Sequence, residues 1–259
     1  MYQVNRLGFV VFIFWMITSL SYAQKNEDVR GGKLLIKHTR DFTVTGDGSA
    51  AEWENAGWNA ITQRPGETLL KAGWHLTPEQ INSKYPLYET QFKILYSDKG
   101  IYCLYKCEDS TVTATKQADF ANLFDEDVVE AFFRPDITMP VYFEYELSPL
   151  NYELPILILN TKGNTTGWKL WRYEGENKTV HAVKVNKKNS LENRFTWTAE
   201  FFIPYILITP THLLPPPKGT KWRCNFYRID YDRFPKYSSW QLTRGNFHDF
   251  ERFGIIEFD

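Results

Sequence analysis

The sequence carries none of the short motifs that mark familiar chemistries. It has no G-x-S-x-G nucleophile elbow, no H-E-x-x-H zinc pair, no phosphate loop and no G-x-G-x-x-G fingerprint. Its five histidines, at 38, 75, 181, 212 and 248, show no ligand spacing. Only His248 sits in a motif-like setting, N-F-H-D-F, where a lone histidine is more often a structural hydrogen-bonding group than a catalyst. Cysteine is scarce and odd in number, with three in 259 residues. Cys103 and Cys107 fall on one face of one expected strand, about 13 Å apart by strand rise and too far to bridge. Cys224 is left either to pair with one of them or, like them, to be a small buried hydrophobe. This is neither a disulfide framework nor a zinc pattern. No basic block stands out from a net charge of −1, which argues against nucleic acid as a partner. Beyond residue 17 no run is long and apolar enough to span a membrane.

Residues 1–23 read as a secretory signal peptide, with Arg6 before the apolar run Leu7 to Ile17 and a small-x-small site at Ser21-Tyr22-Ala23. An uncleaved anchor is the competing reading. No cysteine follows the expected cut, which disfavours a bacterial lipid anchor. The product is expected to be exported, to the periplasm or outside the cell, with no membrane attachment after cleavage. Residues 24–41 read as a polar leader with a first strand at 34–36, and residues 42–259 as one domain.

Aromatics are plentiful, with 9 Trp, 15 Tyr and 19 Phe. They suit strands, and they also suit sugar rings, whose C–H faces stack on aromatic rings. Gly46-Asp47-Gly48 is a turn signal. Ser49 and Glu52 have capping-box spacing for a short helix carrying Trp53. Residues 60–89 lack periodicity and read as a long loop. Strands are expected at 90–97, 101–108, 127–134, 141–147, 154–159, 179–187, 194–203, 221–231 and 255–258, with Pro155 favouring a sheet edge and Tyr205 to Ile208 forming a brief helical turn. Many short strands with turns between them argue for an all-β fold, an antiparallel two-sheet β-sandwich of jelly-roll or immunoglobulin-like type.

Residues 122–136, N-L-F-D-E-D-V-V-E-A-F-F-R-P-D, organise the rest. Alternation puts Val129, Ala131 and Phe133 on one face, and Val128, Glu130, Phe132 and Arg134 on the other. One reading is a half-buried strand with Glu130 paired to a base. The other is a binding face, with Phe124 beside a carboxylate that accepts from ligand hydroxyls. A glycosidase needs two carboxylates about 5–9 Å apart, and Glu130, Glu144, Glu146 or the 125–127 run could supply them. Asp125 and Asp127 are also weak candidates for a structural Ca²⁺, against the alternative of a solvated turn. No other cofactor is expected. Asn164-Thr165-Thr166 and Asn177-Lys178-Thr179 match the short glycosylation pattern.

Five fragments together resemble a family 9 carbohydrate-binding module, the type attached to xylanases and found in free-standing secreted proteins. They are V-T-G-D-G-S-A-A-E-W at 44–53, F-K-I-L-Y-S-D-K-G-I-Y-C-L-Y-K-C-E-D at 92–109, D-E-D-V-V-E-A-F-F-R-P-D at 125–136, F-T-W-T-A-E-F-F-I-P at 195–204, and the close formed by W-R-C-N-F-Y-R-I-D at 222–230, S-S-W at 238–240 and F-H-D-F-E-R-F-G-I-I-E-F at 247–258. Residues 137–195 match only loosely. The resemblance implies a β-sandwich that binds sugar without cleaving it, clamping a ring between two aromatics. By position these are Phe124 and Phe247, with Glu130 as the polar contact and Asn225, Tyr227 and His248 as lesser candidates. Xylanase-linked modules carry Trp at both clamp positions, so Phe here offers a smaller face and no N–H donor. The expected partner is a poly- or oligosaccharide, with glycoside hydrolases as working partners in polysaccharide breakdown. The alternative is a glycoside hydrolase, or an accessory domain of one, that uses Glu130 and Glu144. A haem-binding relative would need axial ligands, and Met139, beside Pro140 in a loop, is the one Met of the mature chain.

Overall fold

Segments of alternating or continuous apolar residues form thirteen strands in a computed structural model that describes residues 31–64, 76–186, 194–208, 214–232 and 234–259. The expected signal peptide at 1–23 lies outside the described residues. The strands are β1 (Lys33–His38), β2 (Asn59–Ala60), β3 (Thr90–Tyr96), β4 (Gly100–Asp109), β5 (Val128–Arg134), β6 (Val141–Leu147), β7 (Glu153–Thr161), β8 (Asn164–Leu170), β9 (Val180–Val185), β10 (Phe195–Pro204), β11 (Lys221–Asp230), β12 (Lys236–Ser239) and β13 (Gly254–Phe258). They join in the order β8-β7-β6-β5-β11-β13-β1-β3-β4-β10-β9, with β12 added to β11 and β2 to β3.

β1 is the joint of this curled sheet. Its first four residues, from Lys33 to Ile36, pair with β13, and Lys37 and His38 pair with β3. Both pairings are parallel, so the sheet is mixed and not antiparallel throughout as expected. The reason is topological. The two neighbours of β1 come from the far end of the chain and from the segment Thr90–Tyr96, and strand patterning alone carries no record of either pairing.

The curl brings two arms face to face. Phe92 of β3 stacks on Phe226 of β11 with centroids 4.0 Å apart, and Tyr145 of β6 meets Phe201 of β10 at 4.6 Å. The Tyr105 hydroxyl of β4 donates to the Glu130 carbonyl of β5 at 2.7 Å. Val129, Ala131 and Phe133 fill this layer together with Trp197 and all three cysteines, which are free and buried. The arrangement is all-β and consistent with a β-sandwich. Each fully buried Phe here contributes roughly 1.5–3 kcal/mol.

The opening segment docks on β10 through one buried acid. Glu200 accepts from the Trp53 indole N–H at 2.8 Å, from Gly46 N–H at 2.7 Å and from Thr45 N–H at 3.0 Å. Gly46 and Gly48 both have positive φ (84° and 66°), the conformation that lets the turn wrap this carboxylate.

Three local expectations change. Ser49 does not cap a helix. Ala51–Asn55 is a 3₁₀ turn without a side-chain cap, and Glu52 pairs instead with Arg40 at 2.8 Å. The stretch 60–89 contains a helix, α1 (Pro78–Lys84), closed by a capping box of Thr77 and Gln80. Pro155 is not at a sheet edge, because β7 lies between β6 and β8. It sits where β8 has already ended, and its carbonyl accepts from Trp171 N–H at 2.9 Å.

Candidate functional site

β5 is buried on both faces. Its second face, with Val128, Glu130 and Phe132, turns away from the inter-arm layer toward a smaller apolar cluster that includes Tyr142, Ile156, Ile158, Tyr227, Ile229 and Phe253. A groove of about 410 Å³ opens over this face. Its floor is Glu130 and Phe132 of β5, Glu144 of β6, Ile156 and Ile158 of β7, and Ile229 of β11. Period-two alternation on adjacent strands puts all six on one side. Its walls are Phe124 and Asp125, Thr165 and Trp168 of β8, Tyr231 and Tyr237, and Asn246, Phe247 and His248.

The acidic run 125–127 positions one wall. Asp127 is buried, and its two oxygens accept from Thr113 N–H at 2.6 Å and Tyr231 N–H at 2.8 Å. Burial pushes its carboxyl up to about 7 against the opposing pull of Arg228 and these N–H donors. Glu126 accepts from Thr115 N–H at 2.6 Å and Lys116 N–H at 3.0 Å. Asp125 is exposed and pairs with Lys116 at 3.4 Å. The run thus ties down the turn that carries Phe124. The candidate metal ligands Asp125 and Asp127 already have these partners and, among the described residues, are not part of a three-ligand group.

The other expected residues divide. Phe124 is half-buried at the rim. Phe247 lines the groove but is only 4% exposed, stacked at 4.0 Å on Tyr227 and edge-on to Tyr237. Tyr227 and Asn225 do not line the groove, which corrects their placement as ligand contacts. Tyr227 lies beneath Phe247 and donates to its carbonyl at 2.7 Å. Asn225 donates to the Tyr227 hydroxyl at 2.8 Å and the Gln241 carbonyl at 2.9 Å, and accepts from Gln241 N–H. Strand alternation had put them on the correct face, but the 240–248 segment covers that face at this point.

His248 stacks on Phe132 at 5.4 Å and hydrogen-bonds through Nδ1 to the Tyr142 hydroxyl at 2.7 Å. Burial holds its imidazole down at about 4, so it is neutral at pH 7. Glu144 lies 3.8 Å from the same nitrogen. Glu146 stands directly opposite Glu130 in the β5–β6 register, and Glu144 is the next residue along on the same face. Burial raises both Glu144 and Glu146, and the charge of Glu130 raises Glu146 further.

Trp168 is the residue missed by sequence reasoning. It is 49% exposed and sits on β8 opposite Ile158. A signal was present. Lys162 and Gly163, both at positive φ, form a two-residue hairpin turn between alternating runs, and a Trp on such an outer strand is an exposed ring.

The sequence matches carbohydrate-binding family 9 over residues 78–258. The chain belongs to this family. No curated protein matches it in sequence. Among solved structures it is similar to a Bacteroides uniformis protein described as carbohydrate-binding, with 17% identity over 88% of this chain and 99% of that one and a TM-score of 0.66. It is also similar to a family 9 module from Caldicellulosiruptor kristjanssonii. The complex with cellotriose shows 13% identity over 88% and 93% of the two chains, and the complex with glucose 14% over 88% and 95%, each with a TM-score of 0.55. At these identities the structures establish the shared fold. Family membership makes this a carbohydrate-binding module and favours a non-catalytic role.

Proposed function

We propose that this is an exported, non-catalytic protein whose groove docks one sugar unit of a glycan and so holds partner glycoside hydrolases near a polysaccharide. The observation that carries the reading is the groove itself, where exposed ring faces stand over buried polar groups on the face that the family signature strand supplies. Phe124 and Trp168 offer faces for sugar C–H groups. Glu130, Glu144, Thr165 and Asn246 offer hydrogen-bonding atoms. Phe247, with one face covered by Tyr227, acts as the backing of the site. An open site of this size fits affinities on the order of micromolar to millimolar.

The test is a glycan panel that begins with cellotriose and glucose, the ligands of the similar structures. A hit lost in both Phe124→Ala and Trp168→Ala, with unchanged melting of the variants, supports the reading. A blank across the panel on folded protein overturns it.

A further inference from the structure

We infer that the groove selects a sugar bearing a free ammonium group over its neutral or acidic counterparts. This deepens the proposed sugar-binding function and rests on it.

The charge of the lining points one way. The acids Glu130, Glu144 and Asp125, the last paired with Lys116 outside, face the groove, no Lys or Arg does among the described residues, and the basic ring in the lining, His248, is neutral. Behind them, Glu146 and Glu144 are buried at 0% and 4% residue exposure, hydrogen-bonded to each other and, for Glu146, to the Phe124 N–H, with no cation beside them among the described residues. A buried carboxyl pair without a cation is costly to the fold. Packing gives no reason to keep one here, because the neighbouring positions on β7 that share this face are leucine and isoleucine.

Elsewhere the same fold satisfies its buried acids. Asp109 meets Arg228 at 2.7 Å, Asp230 meets Lys236 at 2.9 Å, and Glu200 accepts four or more hydrogen bonds. The absence of a cation beside Glu144 and Glu146, among the described residues, is therefore a local feature of the groove. An ammonium supplies three donors and a full positive charge, and charge-assisted hydrogen bonds to carboxylates are about twice as strong as neutral ones. A hydroxyl supplies the bond without the charge, and a uronate adds repulsion.

Glu130 on β5, Tyr142 on β6, Tyr227 on β11 and His248 from the wall all face this pair, and none is cationic at pH 7. Burial therefore keeps Glu144 and Glu146 protonated in the free protein more than is usual for carboxyls. An arriving ammonium favours their ionised form, so binding releases protons to the buffer.

The experiment is calorimetry on the purified protein with three trisaccharides, the β-1,4-linked glucosamine form with free amines, its N-acetylated form and cellotriose. Each is titrated at pH 6.5 in buffers of different ionisation enthalpy. The expected result is about tenfold tighter binding of the free amine, with net proton release and a smaller preference in Glu146→Gln. Equal or weaker binding of the amine, with cellotriose still bound, overturns this inference and leaves the sugar-binding reading standing. No binding of any sugar overturns both. Calcium chloride binding alone, lost in Glu144→Gln, overturns it in favour of a metal ion.

Discussion

Two sets of buried acids, Asp109 with Asp230 and Glu144 with Glu146, lie on opposite sides of β11, and they are built in opposite ways. Arg228 and Tyr227 are adjacent on β11 and point to opposite faces. On the inter-arm side, Arg228 Nη2 meets Asp109 at 2.7 Å, its Nη1 donates to the Glu108 carbonyl at 3.1 Å, and its guanidinium lies 5.2 Å from the Trp197 ring centre. Lys236 serves Asp230 at 2.9 Å. Asp109, Asp230 and Asp232 lie close enough to hold a metal, but Arg228 and Lys236 already pair with two of the three. On the groove side, beneath Phe124, Glu144 and Glu146 have no such cation among the described residues. The difference separates acids paired with cations inside the fold from acids buried without one. Charges paired within the fold leave less capacity for a ligand.

The largest expected effect breaks the paired set. Arg228→Met leaves Asp109 buried without its cation, and urea unfolding should show a loss of about 3–5 kcal/mol. A loss below 1 kcal/mol would mean that the pair is not structural.

Next is the unpaired set, read through pH. The folded state raises Glu144 and Glu146 above their ordinary value of 4.5. It therefore keeps protons that the unfolded chain releases, and the stability tied to them is full below about 4.5 and is lost as pH rises through the folded values. Glu146→Gln should stabilise the protein by about 1–3 kcal/mol at pH 9 and hardly at all at pH 5, by thermal melts. An equal shift at both pH values would remove burial of charge as the cause. His248 works in the other direction. Its lowered value of about 4 means that stability is present above 6.5 and is lost as pH falls through 4. His248→Asn should blunt that acid loss, by about 1–2 kcal/mol at pH 4.

The smallest stability effect falls at the rim. Trp168 is half-exposed on an outer strand, so Trp168→Ala should move the melting temperature by only about 1–2 °C. Sugar affinity should fall by about tenfold or more. A large melting shift with intact binding would make Trp168 part of the fold and not of the site.

Much of this was legible in the sequence, and the reasons are specific. Val141–Leu147 alternates and is a strand over its expected length, and the two faces of β5 divide as period two requires. The family fragments are the parts the fold ties together, since Glu200 of one binds Trp53 and Gly46 of another. The site was legible only in part. Phe124, Glu130, Glu144 and His248 do converge on the groove, but Asn225 and Tyr227 are covered by a segment remote in sequence. The helix α1 was hidden because seven residues are too few for a 3.6-residue period to show, although its Thr77–Gln80 cap was readable.

The sequence by itself determined where the strands run and which side chains share a face, because both follow from local alternation and turn chemistry. It also determined the family, because ordered fragments identify a shared chain. Only the tertiary structure decided that β1 joins two arms through parallel pairings, that Phe247 is backing while Trp168 is exposed, and that one set of acids has its cations while the other does not. Those outcomes depend on which remote segments meet, and an acid has the same local pattern whether or not an arginine comes to lie beside it.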